Sequence, residues 1–372
     1  MEGNSKELKT VASKRLYEVD VVKTFAIFFM VTVHALEHLS GIDFLRIMPD
    51  DALRNIVEFT GGPLVAPVFM FTMGIGMIYT RHNQPLDFIK RGVKLVIGGF
   101  VLNFFRATLL YMIADAIGVD PGSEFSTFET FFIADVLHFA GLAFILVGIL
   151  RAIKLRTYMI FILSLLMLGG GMLTSASIEP CTVPSMLLGF ITFTGITCAF
   201  PLMLWFVYTA AGMVFAEILK KTEDRSSLYQ KVLAASGAVL VVTVVVLMMT
   251  GYDIRNIYTL THQAYYEQDF IHLLVTLSSV LVELSLAFFV FRGVEGTTLG
   301  RFVGFCGVNL NTIYVFQWLL ITATRTTIVT LELSEVGDVG IVPAGLILAV
   351  TAMGLTVLWN KVRKKRTASV KA

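Results

Sequence analysis

Apolar positions in this chain gather into ten long runs separated by short polar connections, at roughly 19–36, 62–79, 95–113, 131–150, 158–176, 200–219, 232–251, 271–291, 302–322 and 341–359. Each run is close to the ~20 residues that cross ~30 Å of hydrocarbon at ~1.5 Å per residue. Inside a bilayer the backbone must satisfy its own hydrogen bonds, and none of the runs alternates with the period of two that a barrel strand requires. The pattern therefore predicts an all-α polytopic membrane protein of about ten transmembrane helices.

Composition agrees. Of 372 residues, 56% are hydrophobic and 15% charged, with mean hydropathy +0.78, too apolar for a water-soluble surface. The net charge of +2 gives no reason to expect a nucleic-acid partner. Charge placement changes the picture more than charge count. Alternate connections collect the cations: Lys6, Lys9, Lys14 and Arg15, then Arg81, Lys90, Arg91 and Lys94, then Arg151, Lys154 and Arg156. Lys220, Lys221, Arg225, Lys231, Arg292, Arg301 and the end of the chain from Lys361 to Lys371 continue the series. The other connections hold only Arg46, Arg54, Arg255 and Arg325. Basic residues beside a span are retained in the cytoplasm, so this asymmetry predicts both termini inside. The organisation expected is a cytoplasmic segment 1–18 with no removed signal, a ten-helix domain 19–360 and a basic tail 361–372.

Ionisable groups within spans are expensive, about 3 kcal/mol each on insertion scales, and so are candidates for function. They are few: Lys23, His34, Arg106, Asp135, His138 and Glu283. On a helix, Asp20, Lys23, His34 and His38 share one face. Eleven residues put Lys23 and His34 about 16 Å apart along the axis. Lys23 either snorkels to the surface or anchors a ligand, and a neutral imidazole at His34 or His38 suits proton acceptance near neutral pH. Asp135 and His138, one turn apart at a helix start, fit a capping pair as well as an active one. Arg106 fits an ion pair with Asp135 or Glu283, or stabilisation of an oxyanion. Asn309 and Asn311 fit interhelical hydrogen bonds or substrate contacts. The connection 252–269 interleaves Tyr252, Tyr258, Tyr265 and Tyr266 with Asp253, His262, Gln263, Glu267 and Asp269, which suits a sugar or an interfacial aromatic belt. The segment 177–198 is apolar enough to re-enter the membrane, and its Cys181 and Cys198 could bridge in an oxidising compartment. No metal-ligand spacing, P-loop or dinucleotide fingerprint occurs.

Four of these stretches carry a resemblance. Arg15-Leu-Tyr-Glu-Val-Asp20-Val-Val-Lys23 with His34 eleven residues on resembles the opening signature of transmembrane acyltransferases of the acyltransferase-3 type and of the heparan-α-glucosaminide N-acetyltransferase group, with Lys23 where Arg is usual. Ala66-Pro-Val-Phe-Met-Phe-Thr-Met-Gly74 with Arg91-Gly92, Ala134-Asp135-Val-Leu-His-Phe-Ala-Gly141 and Gly307-Val-Asn309-Leu-Asn311-Thr-Ile-Tyr314 are similar to later segments of that superfamily, in the same order.

The resemblance implies transfer of an acyl group, usually acetyl, from cytoplasmic acyl-CoA to a hydroxyl or amine of an acceptor on the far side, commonly a sugar or glycan, with no metal. It implies that Arg15, Asp20, Lys23, Arg81, Arg91 and Arg106 belong to the donor site, and that His34 is general base or covalent acyl carrier with His38 in reserve and Asp135 and His138 beside it. Asn309, Asn311, Tyr258, His262 and Tyr265 are then candidates for acceptor contacts. A compact chain with short loops points to a bacterial plasma membrane, and the oligomeric state, homo-oligomer included, stays open. The competing reading is a secondary transporter or exporter in which Arg106, Asp135 and Glu283 bind solute or protons at the midplane.

Overall fold

The computed structural model describes residues 15–40, 52–118, 126–175, 183–193, 195, 198–259, 265–331 and 333–369. His262 and Cys181 lie outside the described residues. The chain folds as a bundle of helices: α1 Tyr17–Leu39, α2 Ala52–Gly61, α3 Ala66–Tyr79, α4 Pro85–Asn103, α5 Leu109–Ile117, α6 Thr127–Phe131 and α7 Val136–Ala152. These are followed by α8 Thr157–Ser175, α9 Val183–Leu188, α10 Leu202–Lys221, α11 Arg225–Thr250, α12 Phe270–Val290, α13 Thr298–Thr330 and α14 Asp338–Ser369. A π-helical turn, Phe104–Thr108, joins α4 to α5.

Each of the ten apolar runs becomes a helix. Among the described residues nine segments are long and apolar enough to cross a membrane, counting Ala52–Tyr79 and Pro85–Ile117 as single spans, and the tenth run is the shorter α7 of 17 residues. Helix α7 is short because Asp135 caps it, accepting from Val136 N–H at 2.6 Å. Helix α14 continues through Ser369, so the basic positions Lys361, Arg363 and Lys364 sit on its last turns.

Helices α10 and α3 lie at the centre and cross closely. A Cβ on Gly212 would collide with the carbonyl of Phe71, and one on Gly74 with that of Thr209, so small residues set this approach. Helices α4 and α7 meet the same way. A Cβ on Gly92 would come 2.5 Å from the carbonyl oxygen of Gly141, and the reciprocal contact is 2.7 Å. Helix α1 packs against α13 and α14, where Gly345 lies against Thr32. Helix α11 differs. Only 11% of its most apolar window is buried, against 72% for α10, which makes it a peripheral helix facing outward.

Contacts divide the bundle into two ends. At one end Arg15 donates to the Gly304 carbonyl, Tyr17 to that of Phe288, Arg151 to that of Met77 and Lys220 to that of Ile78, tying neighbouring helices together. At the other end Val336 N–H donates to the Leu39 carbonyl at 2.8 Å, closing the C-terminus of α1. The cations of the sequence asymmetry crowd the first end.

Candidate active site

Three side chains of α1, at positions 34, 37 and 38, occupy its last third. His34 and His38 retain partial exposure, while Glu37 is buried. Helix α13 runs alongside and supplies four groups to the same region: Tyr314, Gln317, Trp318 and Arg325. His34 Nδ1 lies 3.2 Å from Gln317 Oε1. The Trp318 indole lies over His34, tilted by 31° with ring centroids 4.3 Å apart, and touches His38 edge-on at 5.3 Å. Arg325 Nη1 lies 3.4 Å from His38 Nδ1.

The π-helical turn brings in Arg106. An extra residue in the turn redirects the side chains after Asn103, whose amide donates to the carbonyls of Phe131 and Ile133 at 3.0 and 2.9 Å. Arg106, 8% exposed, then meets Asp135 at 2.5 Å and lies 4.4 Å above the Trp318 ring. Tyr314 donates to the same Asp135 oxygen at 2.6 Å, and Thr322 donates to the Arg106 carbonyl at 3.0 Å. Asp135 is thus both helix cap and counter-ion. His34, His38, Arg106, Asp135, Tyr314, Gln317 and Trp318 form one connected cluster, and its ion pair is compensated charge, as low-dielectric surroundings demand.

His138 is placed apart from His34. Its ring packs between Phe100 at 4.6 Å and Phe190 at 5.1 Å, and its Nδ1 accepts from Asp135 N–H at 3.4 Å, completing a capping box. At 1% exposure it is part of the packing under the site.

At the opposite end, Arg15 pairs with Asp20 and donates to the Gly304 carbonyl at 2.5 Å. A Cβ on Gly307 would strike the Asp20 carboxylate, so this glycine lets α13 and α1 close around the pair. Lys23 sits within electrostatic range of Asp20, Arg15 and Arg91. Nearby, an open pocket of about 320 Å³ is lined by Thr80, His82, Lys90, Arg91, Lys94 and Phe144, among others. Arg91 stacks 4.4 Å above Phe144 there. Arg81 is exposed and outside the lining. Arg106, grouped with the donor-site cations on sequence grounds, belongs instead to the His34 cluster.

The remaining candidates are engaged elsewhere. Asn309 donates to the Phe305 carbonyl and accepts from Asn360, both at 2.8 Å, while Asn311 is exposed on α13. Tyr258 donates to Asn55 at 2.7 Å, and Tyr265, 1% exposed, donates to the Gly62 carbonyl at 2.9 Å. Burial, with Tyr208 and Glu37 nearby, pushes the Tyr265 phenol well above its ordinary range. In the segment 177–198, Cys198 donates its thiol to the Gly189 carbonyl at 2.5 Å. Glu283 stands apart from the Arg106–Asp135 pair, with one carboxylate oxygen buried and unbonded among the described residues.

Gln317, Trp318 and Arg325 were missed by sequence reasoning. The signal was present: Tyr314 is singled out by its motif, and residues three and four further along a helix share its face.

The family model described as heparan-alpha-glucosaminide N-acetyltransferase, catalytic, matches residues 15–245 of the 372. That is more than half of the chain, and the chain belongs to this family: it is a multi-pass membrane acyltransferase. No curated protein matches it.

Proposed function

We propose that this acyltransferase moves an acyl group, acetyl in the first instance, from acyl-CoA on the cytoplasmic side to a hydroxyl or amine of a sugar or glycan on the opposite side. The observation that carries the reading is the span of α1. One helix joins Lys23, beside a cationic pocket, to His34, inside a polar cluster in the other half of the bundle. At ~1.5 Å per residue the two lie about 16 Å apart, a separation suited to a donor whose charged end and reactive thioester are joined by an extended arm.

In this account Lys90, Arg91, Lys94 and His82 face the phosphates of CoA, and the Phe144 ring offers an apolar wall. Lys23 supplies a point charge further in, where arginine would supply a fork. The arm runs along α1 to place the thioester at His34. The acceptor's hydroxyl or amine attacks the carbonyl carbon while His34 takes its proton. The C–S bond then breaks, and the departing CoA sulfur receives that proton. Arg106 is positioned by Asp135 and by the Trp318 ring, and in this account its N–H groups not used by Asp135 are the ones turned toward the carbonyl. The excess of cations at the pocket end supports a cytoplasmic orientation for that end, and a bacterial plasma membrane suits a compact chain of this kind.

Calorimetric titration of the purified protein with acetyl-CoA tests the donor assignment. Binding is expected. Absence of binding with acetyl-CoA and with longer acyl-CoA alike, together with solute flux in proteoliposomes lacking any donor, would replace the enzyme reading with a transporter on the same scaffold.

A further inference from the structure

Gln317 is fully buried, at 0% exposure, in the middle of α13 and outside the segment matched by the family model. Its Oε1 faces His34 Nδ1 at 3.2 Å. A neutral imidazole carries one proton, so an acceptor at Nδ1 keeps that proton there and leaves the lone pair on Nε2. His38 is arranged the opposite way. Arg325 can only donate, and its contact with His38 Nδ1 at 3.4 Å puts the His38 proton on Nε2. Of the two histidines, His34 is therefore the one whose Nε2 is free to accept. The Trp318 ring, tilted over His34 at 4.3 Å, limits how far the imidazole can turn.

The other half of the Gln317 amide is unused. Its Nε2 is buried and makes no hydrogen bond among the described residues. A buried amide donor without an acceptor calls for a reason, and one atom group away stands the proposed base of an acyl transfer. We propose that Gln317 is a catalytic residue: its Oε1 holds His34 in the Nδ1–H tautomer, and its Nε2–H donates to the oxyanion that forms on the acyl carbonyl. This rests on the acyl-transfer reading of His34.

The step balances without any further reactant. As the acceptor's lone pair forms the new bond to the carbonyl carbon, the C=O π electrons move onto oxygen, and the resulting oxyanion accepts a hydrogen bond from Gln317 Nε2–H. The acceptor proton passes to His34 Nε2. The oxyanion collapses, the C–S bond breaks, and the His34 proton goes to the CoA sulfur.

One amide with two duties predicts separable variants. Gln317→Glu keeps an oxygen at Nδ1 but loses the N–H donor, and Gln317→Leu loses both. Nitrogen NMR of the full-length protein in lipid, labelled with [15N]histidine and assigned by difference against His34→Asn, reads the tautomer without turnover. His34 is expected as Nδ1–H in the wild type and in Gln317→Glu, and as a mixture or Nε2–H in Gln317→Leu. Acetyl transfer from acetyl-CoA to glucosamine reads the donor. Both variants are expected to lose about 100-fold or more in kcat, the usual scale for one oxyanion donor, with KM for acetyl-CoA within about twofold. Acetyl-CoA binding and melting temperature confirm that the variants fold.

An unchanged tautomer in Gln317→Leu, or a Gln317→Glu rate within about threefold of wild type beside an inactive His34→Ala, overturns the inference alone. Full activity in His34→Ala overturns the underlying assignment of the base instead.

Discussion

Arg106 and Asp135 meet at 2.5 Å with their side chains 7% and 12% exposed, the only ion pair with both partners this deeply buried among the described residues. The pair ties the π-helical turn to the cap of α7, and Tyr314 bonds the same carboxylate from α13. Removing one partner strands the other charge in a low-dielectric site, which costs about 3–5 kcal/mol. Arg106→Leu or Asp135→Leu alone is therefore expected to lower the melting temperature strongly. The double replacement is expected to recover part of the loss. A double-mutant cycle in melting experiments checks this, and additive losses would show that the pair contributes no coupling.

The glycines of two family-like segments, Gly92 and Gly141, face each other across α4 and α7 with each future Cβ directed at the other's carbonyl. Gly141→Ala is expected to force these helices apart at a cost of about 1–3 kcal/mol, with a shift in the position of Asp135 that also lowers turnover. Gly237→Ala, inside α11 with nothing within 4 Å, is the matched control and is expected to be neutral or slightly stabilising, since alanine is the better helix former. Equal melting temperatures for the two variants would contradict the close-approach account.

The cationic pocket makes a prediction about donor affinity. Lys90 and Arg91 both line it, and Arg91 also rests on Phe144. A charge-assisted hydrogen bond contributes ~1.5–3 kcal/mol, so Arg91→Ala should weaken acetyl-CoA binding about tenfold or more. Arg81→Ala, outside the lining, should not. The effect of Lys90→Ala is expected to shrink at high salt, as exposed charges are screened.

Asp269, just before α12, accepts from the backbone N–H and the Nδ1 of His272, both at 2.7 Å. Burial pushes its carboxyl up, but the bonds from His272 outweigh burial and hold it below the ordinary range. A carboxyl lowered by folding stabilises the folded state above its unfolded pKa near 4, and that contribution is lost as pH falls through the folded value. Asp269→Asn is expected to lower the melting temperature at pH 7 and to flatten its decline below about pH 4. A parallel decline in the variant would show that Asp269 does not couple folding to protons.

Much of this architecture was legible in the sequence because hydrocarbon imposes a single rule on backbone and side chains alike. The ten apolar runs became helices, and the segments around Gly74, Gly92 and Gly141 are close helix crossings. The site was legible only in outline. His34 and Asp135 were picked out by asking which ionisable groups sit in apolar runs, and His38 by the helix face it shares with His34, questions that pass over Gln317 and Trp318 because neither titrates. Arg106 fitted both a donor-site cation and a partner of Asp135; the ion pair is what forms, and the π-helical turn that presents it has no sequence pattern to announce it. Asp135 and His138 fitted capping and catalysis equally from spacing alone. Only the packing of His138 between Phe100 and Phe190 separates it from His34.

The proposed acyl transfer stands or falls with His34. Radiolabelled acetyl-CoA supplied to proteoliposomes, with glucosamine as acceptor and His34→Ala compared with wild type at equal protein levels, measures it directly. Labelled product is expected with the wild type and at least a hundredfold less with His34→Ala, a loss at or beyond the lower end of the usual ~10²–10⁴ contribution of a positioned base, while acetyl-CoA binding is unchanged. Transfer by His34→Ala at the wild-type rate would contradict the proposal.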